Sequence, residues 1–376
     1  MAWTKPLHSK GDIDRAGATL INGDSLFDEE GFETLEKAFD VINNWRSSHS
    51  YPLQALKMTL LGRAKKVDPR AIVAQRLKRL SSIAIKLQRN KHMAFSQMQD
   101  IGGCRAVLRS VRDVDKLVKI YEDAIAKNPK VRAQFIKKYD YIAEPKTDGY
   151  RSIHLIYKYR SSSRQKRAWN DLRIEIQLRS RPQHAWATAV ETVDIFTAQT
   201  LKTGGGAETW RRFFVLMGTA IAMMERRPIC PNCPDDPKVL QVELRNFIQQ
   251  LNVKSVLRGW SDALNYLGQT TQDAGVYLLY LDTDEEKISV TGFPDSARAK
   301  ASDEYLDTER KIKDKPTAQA VLVSVESIQA LRGAFPNYFA DTRVFINAVD
   351  YAVSAAFVSA VGKPVLAPVS PTSERQ

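Results

Sequence analysis

The segment Tyr141–His154 combines an aromatic ring with positive charges beside a tight turn. A proline and a glycine bracket the turn, because proline fixes φ and glycine permits positive φ. Tyr150 follows at once, with Lys146 and Arg151 close by in sequence. A nucleotide needs such a set: a ring for its base, worth about 1–3 kcal/mol, and cations for its phosphates. The segment is a candidate nucleotide-binding loop, although such turns are also common as plain surface turns.

A second group of cations precedes this loop. Lys78, Ser82 and Lys86 recur every four residues, which predicts one face of a helix that covers Ser81–Arg89 and begins near Pro69. Two ammonium groups and a hydroxyl on one face suit a triphosphate. A solvated helix face is the commoner source of this pattern, so the spacing alone leaves both interpretations open.

An acidic residue stands before a glycine pair and a short apolar run. Asp100 precedes Gly102, Gly103 and a strand predicted over Cys104–Leu108. Magnesium usually takes only one or two protein carboxylates, so Asp100 is placed to hold Mg²⁺ on phosphates. Arg105 shares a strand face with a second arginine and can grip phosphate or stack on a base. The alternative is that Asp100 only caps a turn.

The fourth motif is the alternating segment Leu172–Arg179. Its even-numbered positions are aliphatic and predict a buried face, so Glu175 projects from the other face among arginines and Gln177. Such a carboxylate can bind metal or accept a proton from an attacking hydroxyl, although a surface ion-pair ladder has the same pattern. His154 points from a neighbouring strand toward the ligand of the loop, but a lone strand histidine is more often structural.

The elements that must hold these side chains alternate between helix and strand. In this first part the pattern predicts helices at about Gly31–Arg63, Asp113–Ala126 and Pro182–Phe196, and strands at Cys104–Leu108, Ser152–Tyr159 and Leu172–Leu178. The last two strands flank a basic, serine-rich hairpin, Ser161–Trp169. The fold class expected is α/β (α+β), with a mixed β-sheet flanked by helices.

The second half predicts a smaller C-terminal α/β domain. Its expected elements are helices at Trp210–Met224, Val239–Leu251, Ala297–Lys311 and Tyr338–Val358, and strands at Val276–Leu281, Ile288–Thr291 and Ala318–Val325. A proline-dense segment, Pro228–Pro234, separates the two parts and contains Cys230-x-x-Cys233. Zinc needs about four ligands, and no further cysteine or histidine follows, so we expect an incomplete zinc knuckle without metal.

The charge of +13 is concentrated in one block. Residues 51–200 hold 31 Lys and Arg against 13 Asp and Glu, and the rest of the chain is close to neutral. The block contains the four candidate nucleotide-binding and metal-binding motifs, so we expect a polyanionic ligand: a nucleoside triphosphate, RNA, or both. The sequence contains no apolar run of about 18 residues, so we expect no membrane span. The absence of a secretory signal and the three cysteines favour a cytoplasmic, reducing location.

The four motifs taken in order resemble the synthetase domain of RelA/SpoT-type alarmone synthetases. The resemblance covers about Pro69–Phe196 and implies a nucleotidyltransferase-like fold. It also implies that pyrophosphate moves from ATP to the 3′-hydroxyl of a nucleotide, with AMP leaving and Mg²⁺ as cofactor. The resemblance implies that five residues bind ATP: Arg76, Lys78, Ser82, Lys86 and Arg105. It implies that the catalytic residues at the metal are Asp100 and Glu175. It implies that the acceptor is bound by Lys146, Tyr150, Arg151, His154, Gln177 and Arg179.

The layout of the whole chain is similar to toxic small alarmone synthetases, in particular the CapRel-like fused toxin–antitoxin proteins. That resemblance implies an acceptor at the 3′-CCA end of tRNA, inhibition of translation, and a C-terminal half that restrains the toxin until it senses a phage protein. Tyr338 and Tyr351 are candidate blocking residues. GTP or GDP is the alternative acceptor, in stringent-type signalling, and a catalytically inactive RNA-binding regulator is a third possibility. The chain lacks the His-Asp hydrolase motif, so we expect no alarmone hydrolysis.

The predicted domain boundaries follow from these segments. We expect an N-terminal helical region at 1–68, a pyrophosphokinase (toxin) domain at 69–225 and a Cys/Pro-rich linker at 226–238. A C-terminal regulatory (antitoxin or sensor) domain at 239–363 and a disordered tail at 364–376 complete the chain.

Overall fold

The computed structural model divides the chain into two compact units. Unit 1 comprises Met1–Tyr139 and Ile153–Ser180, and unit 2 comprises Asp140–Ser152 and Arg181–Gln376. The structure describes residues 3–22, 29–78, 80–127, 133–197, 206–259, 262, 275–282, 285, 287–312, 315, 318–324 and 338–361. The division does not follow the domain boundary predicted at residue 225, because the helices just before it pack with those after it.

Unit 1 is a mixed α+β structure built on a five-stranded sheet, and the predicted fold class is confirmed. Its helices are α1 (Lys10–Asn22), α2 (Glu29–Ser48), α3 (Ser50–Val67), α4 (Leu80–Arg89) and α5 (Val111–Lys127). Its strands are β1 (Ile72–Leu77), β2 (Gly102–Leu108), β3 (Ala133–Asp140), β4 (Ile153–Tyr159) and β5 (Arg173–Ser180). The strand order is β1-β2-β5-β4-β3.

The central strands fix which side chains share a face. β2 and β5 are parallel, whereas β1 with β2 and β4 with β5 are antiparallel. On β5 the even-numbered aliphatic residues are buried, and Arg173, Glu175 and Gln177 are only partly so. The alternation predicted for this strand is therefore confirmed as far as Leu178, and it separates a polar sheet face from an apolar one. Arg179, predicted on the polar face, is buried.

Helices α3 and α5 pack on the apolar side of unit 1. Gly102 is needed where α3 crosses β2, since a Cβ there would lie 2.8 Å from the Ile174 side chain and 3.3 Å from Cβ of His49. His49 is fully buried at this crossing, and its Nδ1 lies 2.7 Å from the Trp45 carbonyl oxygen. Burial lowers the pKa of His49 to about 4, so the ring is neutral at physiological pH.

Two predictions for this region are wrong, and one edge strand was not predicted. The single helix expected at about Gly31–Arg63 is two helices, α2 and α3, with a break at His49. The helix expected to begin near Pro69 begins only at Leu80, and strand β1 occupies most of the intervening segment. Strand β3 was not predicted at all.

Unit 2 contains helices and a smaller three-stranded sheet. The helices are α6 (Arg181–Thr197), α7 (Gly206–Glu225), α8 (Pro237–Gln250), α9 (Arg298–Ile312), α10 (Tyr338–Ala352) and α11 (Ala355–Val361). The strands are β6 (Val276–Asp282), β7 (Lys287–Phe293) and β8 (Ala318–Ser324), in the antiparallel order β7-β6-β8. The helix predicted at Tyr338–Val358 is interrupted between α10 and α11.

One apolar core joins the early and late helices of unit 2. Phe213 and Met217 of α7 are fully buried with Leu244 of α8 and with Phe345 and Val349 of α10. The rings of Phe213 and Phe345 are in edge contact, with centroids 6.3 Å apart. Helix α7 is therefore a central part of this core, and residue 225 is not a natural place to divide the chain.

None of the described helices is by itself long and apolar enough to cross a membrane. One bent pair, Thr342–Ala352 with Ala355–Val361, meets the length and composition test at an angle of 84°. Buried residues of both members, Phe345 and Phe357 among them, belong to the core of unit 2.

Candidate active site

Asp100 lies between two lysines in unit 1. Lys78 Nζ is 2.9 Å from one carboxylate oxygen of Asp100, and Lys86 Nζ is 2.9 Å from the other. Burial acts to raise the pKa of Asp100, but the charges and hydrogen bonds of the two lysines outweigh it and hold that pKa below its usual value. The carboxylate is therefore ionised at neutral pH, and the two ammonium groups converge on one point.

Different elements bring the two lysines together. Lys86 is on α4, but Lys78 lies just after β1, so the prediction that both share a helix face is wrong. The Lys78 amide donates to the Ile101 carbonyl at 2.7 Å, which extends the β1–β2 pairing to the residue beside Asp100. Arg46 of α2 donates from Nε to the Lys78 carbonyl at 2.9 Å. Arg46 is a positioning residue that no signal in the sequence identifies.

Glu175 is held by polar neighbours on the same sheet face. Its Oε1 lies 2.9 Å from His154 Nδ1, and its Oε2 accepts from Gln177 Nε2 at 2.6 Å. Arg179 Nη2 in turn donates to Gln177 Oε1 at 3.2 Å. The four predicted residues thus form one hydrogen-bonded chain across β4 and β5.

The charge state of Glu175 follows from the same contacts. Burial acts to raise the pKa of its carboxyl, but the hydrogen bond and charge of His154 outweigh burial and keep that pKa below its usual value. The negative charge of Asp100 acts in the opposite direction. Asp100 and Glu175 are therefore close enough to interact, and they belong to one site.

The sheet register places further predicted residues in the same face. Arg105 of β2 stands opposite Gln177 of β5, whose other neighbour is His154 of β4. Arg76 of β1 and Glu175 both stand opposite Gly103, which has no side chain to fill the space between them. The fifth residue predicted for ATP, Ser82, lies on α4 one turn before Lys86.

The donor set fits magnesium held together with phosphates. Magnesium usually keeps several waters and takes one or two protein carboxylates plus substrate oxygens. Asp100 and Glu175 supply two carboxylates, and over the described residues no group of three or more His, Cys, Asp or Glu side chains could hold a metal without a substrate. These two residues would hold Mg²⁺, which would neutralise phosphate charge when bound.

The predicted acceptor loop belongs to unit 2. Lys146 Nζ lies 4.2 Å from the Tyr141 ring centroid and 5.2 Å from that of Tyr150. Tyr150 is half-buried, in edge contact with Tyr141 at 5.9 Å and with Trp186 at 6.4 Å. The structure therefore brings the ring and the lysine of this loop together, as a binding loop for a base and a phosphate requires.

Arg151 has a different role from the predicted one. It is 2% exposed, and its guanidinium donates to the carbonyls of Gly218 and Pro228 at 3.1 and 2.7 Å. A buried guanidinium that is occupied by main-chain carbonyls cannot reach an acceptor, so Arg151 anchors the loop to α7 and to the segment after it. Arg151 also lies 3.6 Å from Cys230 Sγ.

The cysteine pair lies in the same region of unit 2. Cys230 is buried and Cys233 is half-buried. A hydrogen bond from Cys233, with the charge of Arg151 in addition, outweighs burial and lowers the pKa of Cys230 to about 6. The same hydrogen bond raises the pKa of Cys233. The hydrogen bond between the two thiols therefore favours ionisation of Cys230 over Cys233.

The two candidate regulatory tyrosines lie at opposite ends of α10. Tyr338 is the first residue of that helix, and its side chain lies outside the described residues. Tyr351 is 37% exposed and in edge contact with Phe357 at 6.1 Å. A blocking role for either residue remains a prediction.

Solved structures of three known proteins are similar to part of this chain. The structure of small alarmone synthetase 1 from Bacillus subtilis is similar at 24% identity over 47% of this chain and 88% of its own, with a TM-score of 0.38. Small alarmone synthetase 2 from the same organism is 21% identical over 46% of this chain and 87% of its own, with a TM-score of 0.37. A GTP pyrophosphokinase family protein from Streptococcus pneumoniae is 22% identical over 53% of this chain and 83% of its own, with a TM-score of 0.35.

No curated protein matches the chain. Residues 75–194 match the family described as a region found in RelA/SpoT proteins. The match includes every residue assigned above to the ATP, metal and acceptor sites, and it agrees with the resemblance seen in the motifs. Residues 75–194 therefore form a RelA/SpoT-type domain.

Proposed function

We propose that the protein is an ATP-dependent pyrophosphokinase that transfers the β,γ-pyrophosphate of ATP to a ribose 3′-hydroxyl. The observation that carries the proposal is the pair of lysines that converge on Asp100, with a second ionised carboxylate, Glu175, in electrostatic contact. Phosphoryl chemistry needs this combination, because cations must neutralise the phosphate oxygens and carboxylates must hold the metal.

The lysines have a binding role that follows from their present partners. Each ammonium group can donate three hydrogen bonds, so Lys78 and Lys86 can bind phosphate oxygens while they stay near Asp100. A triphosphate that takes part of their charge also frees carboxylate lone pairs of Asp100 for Mg²⁺. Arg76 and Arg105, on neighbouring strands, are placed to bind further phosphate oxygens or to stack on the adenine ring.

Glu175 is the residue that receives the proton of the acceptor hydroxyl. It is ionised, and its two oxygens are oriented by His154 and Gln177, so it can align the hydroxyl with the β-phosphorus. As the 3′-oxygen bonds to the β-phosphorus, the bond to the α,β-bridging oxygen breaks and AMP leaves. His154 is a positioning residue in this scheme, because it acts through Glu175.

We propose the 3′-CCA end of tRNA as the acceptor, and GTP or GDP as the alternative. The support is the excess of positive charge in residues 51–200, where 31 Lys and Arg stand against 13 Asp and Glu. A free nucleotide needs only a few cations, whereas an RNA stem presents a charge every few ångströms. In this proposal Tyr150 and Lys146 receive the terminal base, and modified tRNA no longer supports translation, which makes the protein a toxin for defence against phage.

The acceptor is tested with ATP labelled in the γ-phosphate. Purified full-length protein is incubated with labelled ATP, Mg²⁺ and either deacylated tRNA or a mixture of GTP and GDP. We expect label to enter intact tRNA. We expect no label in tRNA whose 3′-hydroxyl has been removed beforehand by periodate oxidation. Label in the guanine nucleotides alone would replace the tRNA acceptor by the alternative.

The chemistry itself is tested by Glu175→Gln, which keeps the size of the side chain but removes its charge. We expect transfer to either acceptor to fall by about 10²–10⁴-fold, the usual contribution of a general base. Glu122→Gln is the matched control, because Glu122 is exposed on α5 and paired only with Lys138. Transfer to neither acceptor by the unchanged protein would contradict the proposal and favour an RNA-binding regulator. Full activity of Glu175→Gln would contradict the role of Glu175 as the proton acceptor.

A further inference from the structure

Unit 1 contains a large cavity on the side of the sheet away from Asp100 and Glu175. Its volume is about 990 Å³, and Ile176 of β5 lines it. Because side chains alternate along a strand, Ile176 projects to the face opposite Glu175 and Gln177. The cavity and the candidate active site are therefore separate sites on the two faces of one sheet.

One end of the cavity is aromatic. Tyr121 of α5, Phe135 of β3 and Tyr157 of β4 line it. The Tyr157 ring is 6.1 Å from that of Tyr121 and 5.6 Å from that of Phe135. These rings are tilted or in edge contact and form one continuous aromatic wall of the cavity.

A cation is placed at this aromatic end. The Arg63 guanidinium carbon lies 4.3 Å from the Tyr121 ring centroid. Among the described residues, no carboxylate forms an ion pair with Arg63. Its charge also opposes the effect of burial, which raises the pKa of Tyr157 to about 12. A guanidinium that is held over a ring, with no anion to match it among the described residues, is prepared to bind one.

The other end of the cavity is polar. The loop after β4 contributes the hydroxyl-bearing residues Ser161, Ser162 and Ser163, and it adds the exposed Lys166. No Asp or Glu lines the cavity in the part of the chain that the structure describes. A third lining cation, Arg160, is paired with Asp171 at 2.7 Å, whereas Arg63 and Lys166 have no acidic partner among the described residues. These two cations and the hydroxyls favour an anionic ligand.

We propose that this cavity binds a mononucleotide at a second site, distinct from the candidate active site. Its volume lies at the upper end of the usual range for small-molecule pockets, which is roughly 300–1,000 Å³, so a base, a sugar and a phosphate fit. The base packs against the aromatic wall beside Phe135 and Tyr157, and the phosphate is bound by Arg63 or by Lys166 and the serine loop. Aromatic walls favour a flat heterocycle over a flexible acyl chain, and the unmatched cations require the phosphate.

The probe is adenosine 5′-monophosphate, titrated calorimetrically into the full-length protein. AMP is also a product of the proposed reaction, so each titration is repeated with Lys86→Met, which weakens the candidate active site only. We expect AMP to bind Lys86→Met with unchanged affinity for the cavity, and adenosine without phosphate to bind on the order of tenfold more weakly. Equal binding of adenosine would refute the phosphate contact.

Two variants locate the site. Arg63→Met should weaken AMP binding on the order of tenfold or more, which corresponds to the loss of one charge-assisted contact. Lys166→Ala should weaken it several-fold, and Arg164→Ala, in the same exposed loop but outside the lining, should not. Because Lys166 is exposed, its replacement leaves the fold intact even if Arg63→Met does not fold.

The outcomes distinguish this site from the proposed reaction. Loss of all AMP binding in Lys86→Met, or wild-type affinity in both Arg63→Met and Lys166→Ala, would refute the second site without touching the pyrophosphokinase proposal. Conversely, AMP binding that depends on Arg63 in a protein without transferase activity would leave the second site standing.

Discussion

At the scale of single residues, four charges at the centre of the site sum to zero before substrate binds: Lys78 and Lys86 are positive, and Asp100 and Glu175 are negative. Both lysines pair with Asp100, whereas His154 and Gln177 hold the oxygens of Glu175. These contacts offset the desolvation penalty of partly buried charges. A triphosphate with Mg²⁺ adds charges of both signs, so it can enter without leaving one of these groups unpaired.

The residue whose loss isolates ATP binding is Lys86. Lys86→Met keeps the aliphatic stem on α4 and leaves Lys78 to neutralise Asp100, so the fold should survive. We expect the KM for ATP to rise about 10–100-fold, because a hydrogen bond to a charged group contributes about 1.5–3 kcal/mol. Steady-state kinetics with saturating acceptor measure this change.

A matched control for that substitution is Lys91→Met. Lys91 is exposed just beyond the end of α4. Its replacement by Met changes the net charge by the same amount as Lys86→Met but leaves the contacts of Asp100 intact. An equal rise in KM for both variants would show that the general field, and not the contact with ATP, is responsible.

Residue types predicted the site better than local geometry did. Asp100 and Glu175 could be predicted only from the four motifs taken together, because a turn cap and a surface ion-pair ladder explain each carboxylate on its own. The predicted helix face of Lys78 was wrong, because a spacing of four residues also arises when a strand ends and a helix begins. The role of Arg151 was wrong because a sequence does not show which arginine finds buried carbonyls.

At the scale of elements, strands with regular alternation were predictable and edge strands were not. β4 and β5 are central, so their buried face is continuous and the pattern is strong. β1 pairs only with β2 at the edge of the sheet, and Gln75 and Arg76 are exposed, so its apolar signal is weak. β3 is the opposite edge, and its two adjacent lysines interrupt alternation in the same way.

The contact between the acceptor loop and α7 depends on two glycines. Gly149 has φ of +86°, and a Cβ on Gly218 of α7 would lie 2.6 Å from the Gly149 carbonyl oxygen. Gly218→Ala should therefore push the loop from the helix and lower the free energy of unfolding by about 1–3 kcal/mol. Urea denaturation followed by circular dichroism measures the change.

The control for that substitution lies in another helix. A Cβ on Gly62 of α3 would meet no atom within 4 Å. Gly62→Ala removes a flexible residue from a helix interior, so we expect it to stabilise the protein by about 0.5–1 kcal/mol. If Gly218→Ala were as stable as Gly62→Ala, the close approach of loop and helix would not exist in solution.

At the scale of the whole molecule, composition identified the basic block but not the way in which the chain divides. The proline-dense segment 228–234 suggested a linker between a complete catalytic domain and a separate regulator. In the structure, Arg151 donates to the carbonyl of Pro228, and α7 shares a core with α8 and α10. A boundary drawn from prolines fails here because buried contacts, and not local flexibility, decide which segments form a compact unit.

This shared core determines what truncation after residue 235 should do. In the full chain Phe213, Met217 and Ile221 of α7 are buried together with residues of α8 and α10, and their partners would be removed. Exposure of one large apolar side chain costs about 1.5–3 kcal/mol, and several would be exposed at once. We therefore expect the fragment 1–235 to be aggregated or protease-sensitive and to lack transferase activity, whereas a chain that ends at residue 361 keeps its fold.

Size-exclusion chromatography, limited proteolysis and the labelled-ATP assay compare the two truncated proteins. If the second half served only to block the site, its removal would give a soluble fragment with constitutive activity. That result would contradict the argument from the core. Loss of fold and activity together would mean that any restraint by the C-terminal half must act through movement of elements that also support α6 and α7, and cannot be relieved by simple detachment.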